Sequence, residues 1–218
     1  MLNHVGIIPD GTRRWARNNN MIFYDAYLES MHKLVKFLKI GFDSAVNIQS
    51  VYGLSKENLN RPNEELRSVF AAEAYLIESL LPEICETYRC SVYFAGLPSL
   101  LPEEFFQAIN KLVEDTKIYE TTAKKIYLLL GYNPWDEIKY ACSKSEKSSE
   151  IRKYLWVKED LDLIIRTGAG KLISNFLPLQ SGYAEFVFFE QLFNDLSDEI
   201  FTQALLDFPH YGKRLGGK

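Results

Sequence analysis

Six short apolar runs, rich in β-branched and aromatic residues, recur along the chain with longer helix-patterned stretches between them, and that alternation limits the fold more than any other feature. The runs are "HVGII", "AVNIQSVY", "SVYFAG", "KIYLLLGY", "LDLIIRT" and "AEFVFF". Most are nearly continuous rather than alternating, as strands buried on both faces must be. The expected fold is therefore α/β, a mostly parallel central sheet of about six strands flanked by helices. Helices are predicted over residues 24–39, 63–88, 102–119, 135–147 and 197–207, with Asn63 in "RPNEELRSVF" as a candidate N-cap before two glutamates that suit the positive helix end. A chain of 218 residues fits one domain spanning 1–218. The polar stretch "SKSEKSSEIRK" reads as a surface loop and not as a linker.

Ligands of an open parallel sheet gather beyond the carboxyl ends of its strands. Three segments occupy such places: "PDGTRRW", "GLSKENLNRP" and "RTGAGKLISNF". The third looks like a phosphate loop, but the simple motifs fail. A P-loop needs glycine at Ile165 and Ser or Thr at Leu172, and a dinucleotide fingerprint lacks its third glycine. No Gly-x-Ser-x-Gly elbow and no paired Cys/His spacing is present. A net charge of −4 argues against a nucleic-acid partner, and no stretch approaches the roughly 20 apolar residues of a membrane span. The first residues lack the pattern of a secretory leader, and three cysteines are the usage of a reduced, cytoplasmic protein. What remains is arginines at strand ends with one early carboxylate, Asp10, a set suited to a diphosphate and a divalent cation.

Taken in order, these segments resemble the cis-prenyltransferases, the family of undecaprenyl diphosphate synthase. "HVGIIPDGTRRWAR" is similar to that family's first signature, placing its functional residues at Asp10, Gly11, Thr12, Arg13, Arg14 and Trp15. "VYGLSKENLNRP" resembles the second, giving Ser55, Glu57, Asn58, Arg61 and Pro62. "GYNPWDEI" is a degraded third, "DLIIRTGAGKLISNFLPLQSGYAEFVF" the long C-terminal signature, and "KRLGGK" the closing Arg-x-Gly at Arg214 and Gly216. The resemblance implies a homodimer that uses Mg²⁺ to condense an allylic diphosphate with isopentenyl diphosphate. Asp10 would hold the metal with Glu185 as second carboxylate, Ser55 and Asn58 would steer a proton, and Arg14 and Arg61 would neutralise the leaving diphosphate. Arg214 and Gly216 would reach the second diphosphate. Plainer roles exist for each: Asp10 as a helix cap, Ser55 and Asn58 as turn residues, Glu185 as the start of a strand.

The departures from the family pattern cluster. Phe23 and Tyr27 stand where regular members carry an arginine and a histidine, Thr12 replaces an asparagine, and Leu59 a tryptophan. In the C-terminal signature a glutamate, a basic residue and an arginine align with Gly170, Lys171 and Leu172, while Arg166 and Ser174 remain. A bidentate arginine is thereby lost, and Lys171 offers only a point charge. Similar losses mark the lavandulyl and cyclolavandulyl diphosphate synthases, which this chain resembles at "PDGTRRW", "AYLESMHKLVKF" and "FLPLQSGYAE". That branch implies irregular joining of two dimethylallyl diphosphates, the final cation losing a proton to released diphosphate or cyclising first. Phe23, Tyr27 and Leu59 would line a pocket that keeps water from the cation. A regular short-chain synthase and a non-catalytic partner subunit are the other readings, the latter opposed by the survival of Asp10, Arg14, Asn58 and Arg61.

Overall fold

The computed structural model describes residues 2–208. All six expected strands form: β1 (His4–Ile8), β2 (Ile48–Ser55), β3 (Ser91–Ala95), β4 (Lys125–Tyr132), β5 (Leu163–Arg166) and β6 (Glu185–Phe188). They pair in the order β3-β4-β2-β1-β5-β6, and every pairing is parallel. Arg214 and Gly216 lie outside the described residues.

Side-chain alternation feeds two apolar layers. Val5, Ile7, Ile126, Leu128, Leu163 and Ile165 pack on one face, under α2 (Phe23–Asp43), α3 (Asn63–Tyr75), α4 (Leu81–Tyr88), α5 (Glu103–Thr116) and α7 (Asp198–Asp207). Ile8, Ile48, Tyr127, Leu129 and Ile164 pack on the other with Val157, Phe176 and Leu177. This two-sided burial is why the strands read as continuous apolar runs.

Several boundaries differ from expectation for local reasons. The helix expected over 63–88 is continuous, but residues Leu76–Leu80 form a π-turn. Pro82 follows at the start of α4; its missing N–H removes one helical hydrogen bond and its ring crowds the preceding turn. Asn63 is not an N-cap: it is the first helical residue, and Pro62 precedes it in extended conformation with no side-chain cap. Asn133 and Ser197 do cap, Asn133 Oδ1 accepting from Trp135 N at 3.0 Å and Ser197 Oγ from Ile200 N at 3.3 Å. They start α6 (Pro134–Lys144) and α7.

One strand is irregular where it matters. The β2–β4 register shifts between Tyr52 and Leu54, at Gly53. Tyr52 faces one layer and Leu54 the other, while Val51 and Gly53 both face the helical side of Leu54. Bulges of this kind re-aim side chains beside functional sites. No helix among the described residues is long and apolar enough to cross a membrane.

Candidate active site

Strand order reverses around β1, whose neighbours are β2 and β5, so the crevice beyond their carboxyl ends is the natural binding place. A solvent-open cavity of about 1010 Å³ lies there, lined by Asp10, Arg13, Arg14, Arg17, Arg61 and Arg166 among others. Five arginines face one carboxylate, a surface made for an anion with several negative oxygens.

Asp10 follows β1 and is fixed through its backbone. Its N–H donates to Thr167 Oγ1 at 2.9 Å, and its carbonyl accepts from Thr167 Oγ1 at 2.8 Å and from Phe193 N at 3.1 Å. The carboxylate is left for other work: Arg166 Nη2 donates to it at 2.8 Å and Arg14 Nη2 at 3.3 Å, and a third of the side chain stays exposed. Gly11 takes φ 115°, a left-handed turn that starts α1 (Thr12–Asn18) immediately after Asp10. The first turn leaves backbone N–H groups without partners inside the helix, facing the cavity wall. Arg13, Arg14 and Arg17 project from this helix at i, i+1 and i+4.

The β2 half of the site is braced from beneath. Glu65 of α3 is 3% exposed and pairs with Arg13 Nε at 3.1 Å and Arg61 Nη1 at 3.3 Å. The Arg13 approach is an ion pair without hydrogen-bonding geometry. Tyr27 OH donates to Glu65 Oε1 at 3.3 Å and accepts from Arg61 Nη1 at 3.1 Å. Burial pushes the Tyr27 phenol up to about 12, so it is a neutral donor throughout the working range. Asn58 N donates to Ser55 Oγ at 3.2 Å and Ser55 N to Asn58 Oδ1 at 3.4 Å, closing the turn reciprocally while both residues line the cavity. Thr12 is buried, with its hydroxyl 2.9 Å from that of Ser30.

The β5 half is looser. Arg166 folds over its own loop, donating through Nη1 to Leu172 O and Ser174 Oγ, both at 2.8 Å, while its buried Nε has no partner among the described residues. A Cβ on Gly170 would stand 2.8 Å from that Nε, so the glycine makes room for the guanidinium. Ala169, Ser174, Asn175 and Leu177 all take left-handed φ, between 42° and 63°, conformations that cost about 1–3 kcal/mol each. Such strain gathers at ligand-holding loops.

A second cavity, small and apolar, joins the first at Pro9, Thr12, Tyr27, Gly53 and Arg61. Met31 and Leu34 of α2, Leu76 and Ile77 beyond α3, and Leu128 and Leu130 of β4 line it.

The structure thus brings together Asp10, Gly11, Thr12, Arg13, Arg14, Tyr27, Ser55, Asn58, Arg61, Arg166 and Ser174 at one cavity. Four expected residues stand apart within the chain. Glu185 begins β6 level with Leu163, and Leu163 with Val5, so it lies at the entry end of the sheet, opposite Asp10. It does not join Asp10 as a metal ligand within one chain. Lys171 is exposed, Phe23 and Leu59 are half-buried against the core, and none of the three lines either cavity. Sequence reasoning missed Arg17 and Glu65. Arg17 shares a helix face with Arg13 at i+4, and Glu65 stands four residues after Arg61, spacings that placed them beside residues already singled out.

Comparison with known proteins gives the family and the fold. The family described as "Putative undecaprenyl diphosphate synthase" matches residues 8–216. An isoprenyl transferase of Bacillus cereus is 32% identical, over 98% of this chain and 88% of that protein. A tritrans,polycis-undecaprenyl-diphosphate synthase (geranylgeranyl-diphosphate specific) of Sulfurisphaera tokodaii is 35% identical, over 88% and 79%. Among solved structures, lavandulyl diphosphate synthase from Lavandula x intermedia in complex with dimethylallyl diphosphate superposes with a TM-score of 0.90 at 21% identity, over 99% and 98% of the two chains. A "probable undecaprenyl diphosphate synthase" from Campylobacter jejuni gives 0.83 at 24% identity, over 100% and 99%. At those identities the two structures speak for the fold.

Proposed function

The chain belongs to the undecaprenyl diphosphate synthase family of prenyltransferases, and we propose that it joins two short allylic diphosphates, two molecules of dimethylallyl diphosphate, in an irregular coupling that releases diphosphate. The observation that carries this reading is the β5 loop, where Arg166 closes onto Asp10, Leu172 O and Ser174 and leaves Lys171 outside both cavities. A site with so little left for an isopentenyl diphosphate in the usual pose suits two allylic substrates better. The apolar cavity, small and interrupted by a carboxyl, suits a short product.

Asp10 fits Mg²⁺ binding: one partly exposed carboxylate beside a phosphate-sized array of arginines is the donor set this ion uses when substrate oxygens and waters complete its shell. Bound there, the ion would supply charge neutralisation as the carbon–oxygen bond of the donor breaks. Arg14, Arg61 and Arg166 hold the diphosphate and stabilise the charge it gains on leaving. Thr12, Arg13 and the first turn of α1 orient it. The double bond of the second allylic unit attacks the cation, and the new tertiary cation must lose a proton. Tyr27 and the apolar wall keep water from it. Ser55 and Asn58 line the polar cavity, where they would lie beside the substrate and help steer a proton. Activity as a homodimer in the cytoplasm, with Lys171, Arg214 and Gly216 serving the second diphosphate, is part of the same proposal.

A regular condensation with isopentenyl diphosphate is the second reading, favoured by the identity of 31–35% to enzymes named for polyprenyl products. Incubation with dimethylallyl diphosphate alone separates the two. Release of diphosphate without isopentenyl diphosphate is expected; release only in its presence overturns the irregular coupling.

A further inference from the structure

Glu73 is the one residue of the apolar cavity whose chemistry the foregoing leaves unused. It stands on α3, four residues after Val69 and three before Leu76, on the stripe that faces the sheet. Its side chain is 4% exposed and makes no hydrogen bond or ion pair among the described residues. A buried carboxyl without a partner costs stability and calls for a reason. Room for it is built into β2: a Cβ on Gly53 would lie 2.9 Å from Glu73 Oε1 and 3.0 Å from Oε2, and Gly53 is the residue at which the register shifts. The missing side chain and the carboxyl form a matched pair at the place where the two cavities join.

We propose that Glu73 is the proton acceptor that ends the coupling reaction. The inference rests on the prenyl-coupling reading above, whichever second substrate is used. The donor's carbon–oxygen bond breaks, its electron pair leaving with diphosphate, and the freed carbon bonds to the alkene of the second unit. That leaves a tertiary cation in the apolar cavity. A neighbouring C–H bond then breaks: its electrons form the new double bond, and its proton goes to a Glu73 carboxylate oxygen. The proton returns to solvent as the products leave through the polar cavity. A carboxylate in a low-dielectric pocket also stabilises the cation before it is quenched.

The electrostatics suit a base that works near neutrality. Burial pushes the Glu73 carboxyl up to about 8, and Arg61, across the same cavity, opposes that shift. From α2 the titratable group facing the cavity is Tyr27, neutral in this range; β2 and β4 contribute Val51, Gly53, Leu128 and Leu130, none of which titrates. The ionised fraction therefore rises as pH approaches 8.

The test compares wild type with Glu73→Gln and Glu73→Leu, on whichever substrate pair the wild type turns over, reading kcat, both KM values, pH profile and product structure after phosphatase treatment. The proposal expects Glu73→Gln to lose about 10²-fold in kcat with KM values held within about threefold. It also expects loss of the rate increase toward pH 8, and a product with a displaced double bond or a hydroxyl from water capture. Wild-type kcat, pH profile and double-bond position in Glu73→Gln would overturn it, leaving released diphosphate as the acceptor. Unchanged rate with longer products in Glu73→Leu would also overturn it, making the carboxyl a wall. An inert wild type would instead bring down the coupling reading itself.

Discussion

The polar and apolar cavities meet at Gly53 and Arg61 yet are built by opposite means. In the polar cavity most charges have a partner before any ligand arrives: Asp10 lies between Arg14 and Arg166, and Glu65 sits beneath Arg13 and Arg61. The apolar cavity is walled by side chains from α2, α3 and β4 and carries a single carboxyl with no such partner. The first arrangement preorganises a binding surface; the second keeps one reactive group poorly solvated. Positioning and proton transfer are thereby divided between two halves of one site.

The most severe way to break that division is Asp10→Ala. Turnover with magnesium present is expected to fall by about 10²–10³-fold. Because three hydrogen bonds to its backbone remain, urea unfolding is expected to shift by less than about 1 kcal/mol. Activity near wild type would show that the polar cavity does not centre on this carboxylate.

Glu65→Ala probes the brace beneath the arginines. Loss of charged hydrogen bonds from a buried acceptor is expected to cost about 1.5–3 kcal/mol in urea unfolding and to raise KM for the diphosphates, since Arg61 and Tyr27 lose their common anchor. A stable variant with unchanged KM would mean that the arginines are positioned by something else.

Gly53→Ala sharpens the contrast from the other side. The added methyl would approach Leu130 Cδ2 at 2.7 Å and Glu73 at 2.9 Å, and overpacking of this kind costs about 1–3 kcal/mol. Activity is expected to fall while Asp10 and its arginines stay in place.

Stability against pH isolates Glu73 without any substrate. An unfolded chain ionises this acid near its ordinary value of 4.5, whereas the folded protein holds it neutral to about 8. The unfolded state binds fewer protons between those values, so the neutral carboxyl's contribution is complete below 4.5 and is lost as pH rises to about 8. Glu73→Leu is expected to gain on wild type with pH across this window, by on the order of 1 kcal/mol per unit. Parallel pH curves for the two proteins would place the carboxyl in water. Smallest of all, Lys171→Ala removes an exposed charge worth about 0–1 kcal/mol, so KM for one substrate is expected to rise by up to about fivefold.

How legible this was in the sequence varied between the same two regions. The six strands could be read because two-sided burial leaves continuous apolar runs, and the polar cavity because its residues follow those runs directly. The family resemblance at residues such as Asp10, Arg14 and Arg61 agrees with the match over residues 8–216. Of the apolar cavity Tyr27 was legible and the rest was hidden. Glu65 and Glu73 sit in "NEELRSVFAAEAY", which looks like an acidic, solvated helix face, and only their spacing from Val69 and Leu76 places them inward. Gly53 reads as the first residue beyond the second apolar run, whereas β2 continues through it to Ser55 with a bulge that depends on the neighbouring strand. Gly170 was read as a lost ligand, but its missing Cβ also makes room for the Arg166 guanidinium, a long-range fit that no local pattern encodes.

The most direct test of the irregular coupling is mass analysis of the dephosphorylated product from fully ¹³C-labelled dimethylallyl diphosphate mixed with unlabelled isopentenyl diphosphate. The account predicts a product in which both five-carbon halves carry label. A product with one labelled and one unlabelled half would contradict it.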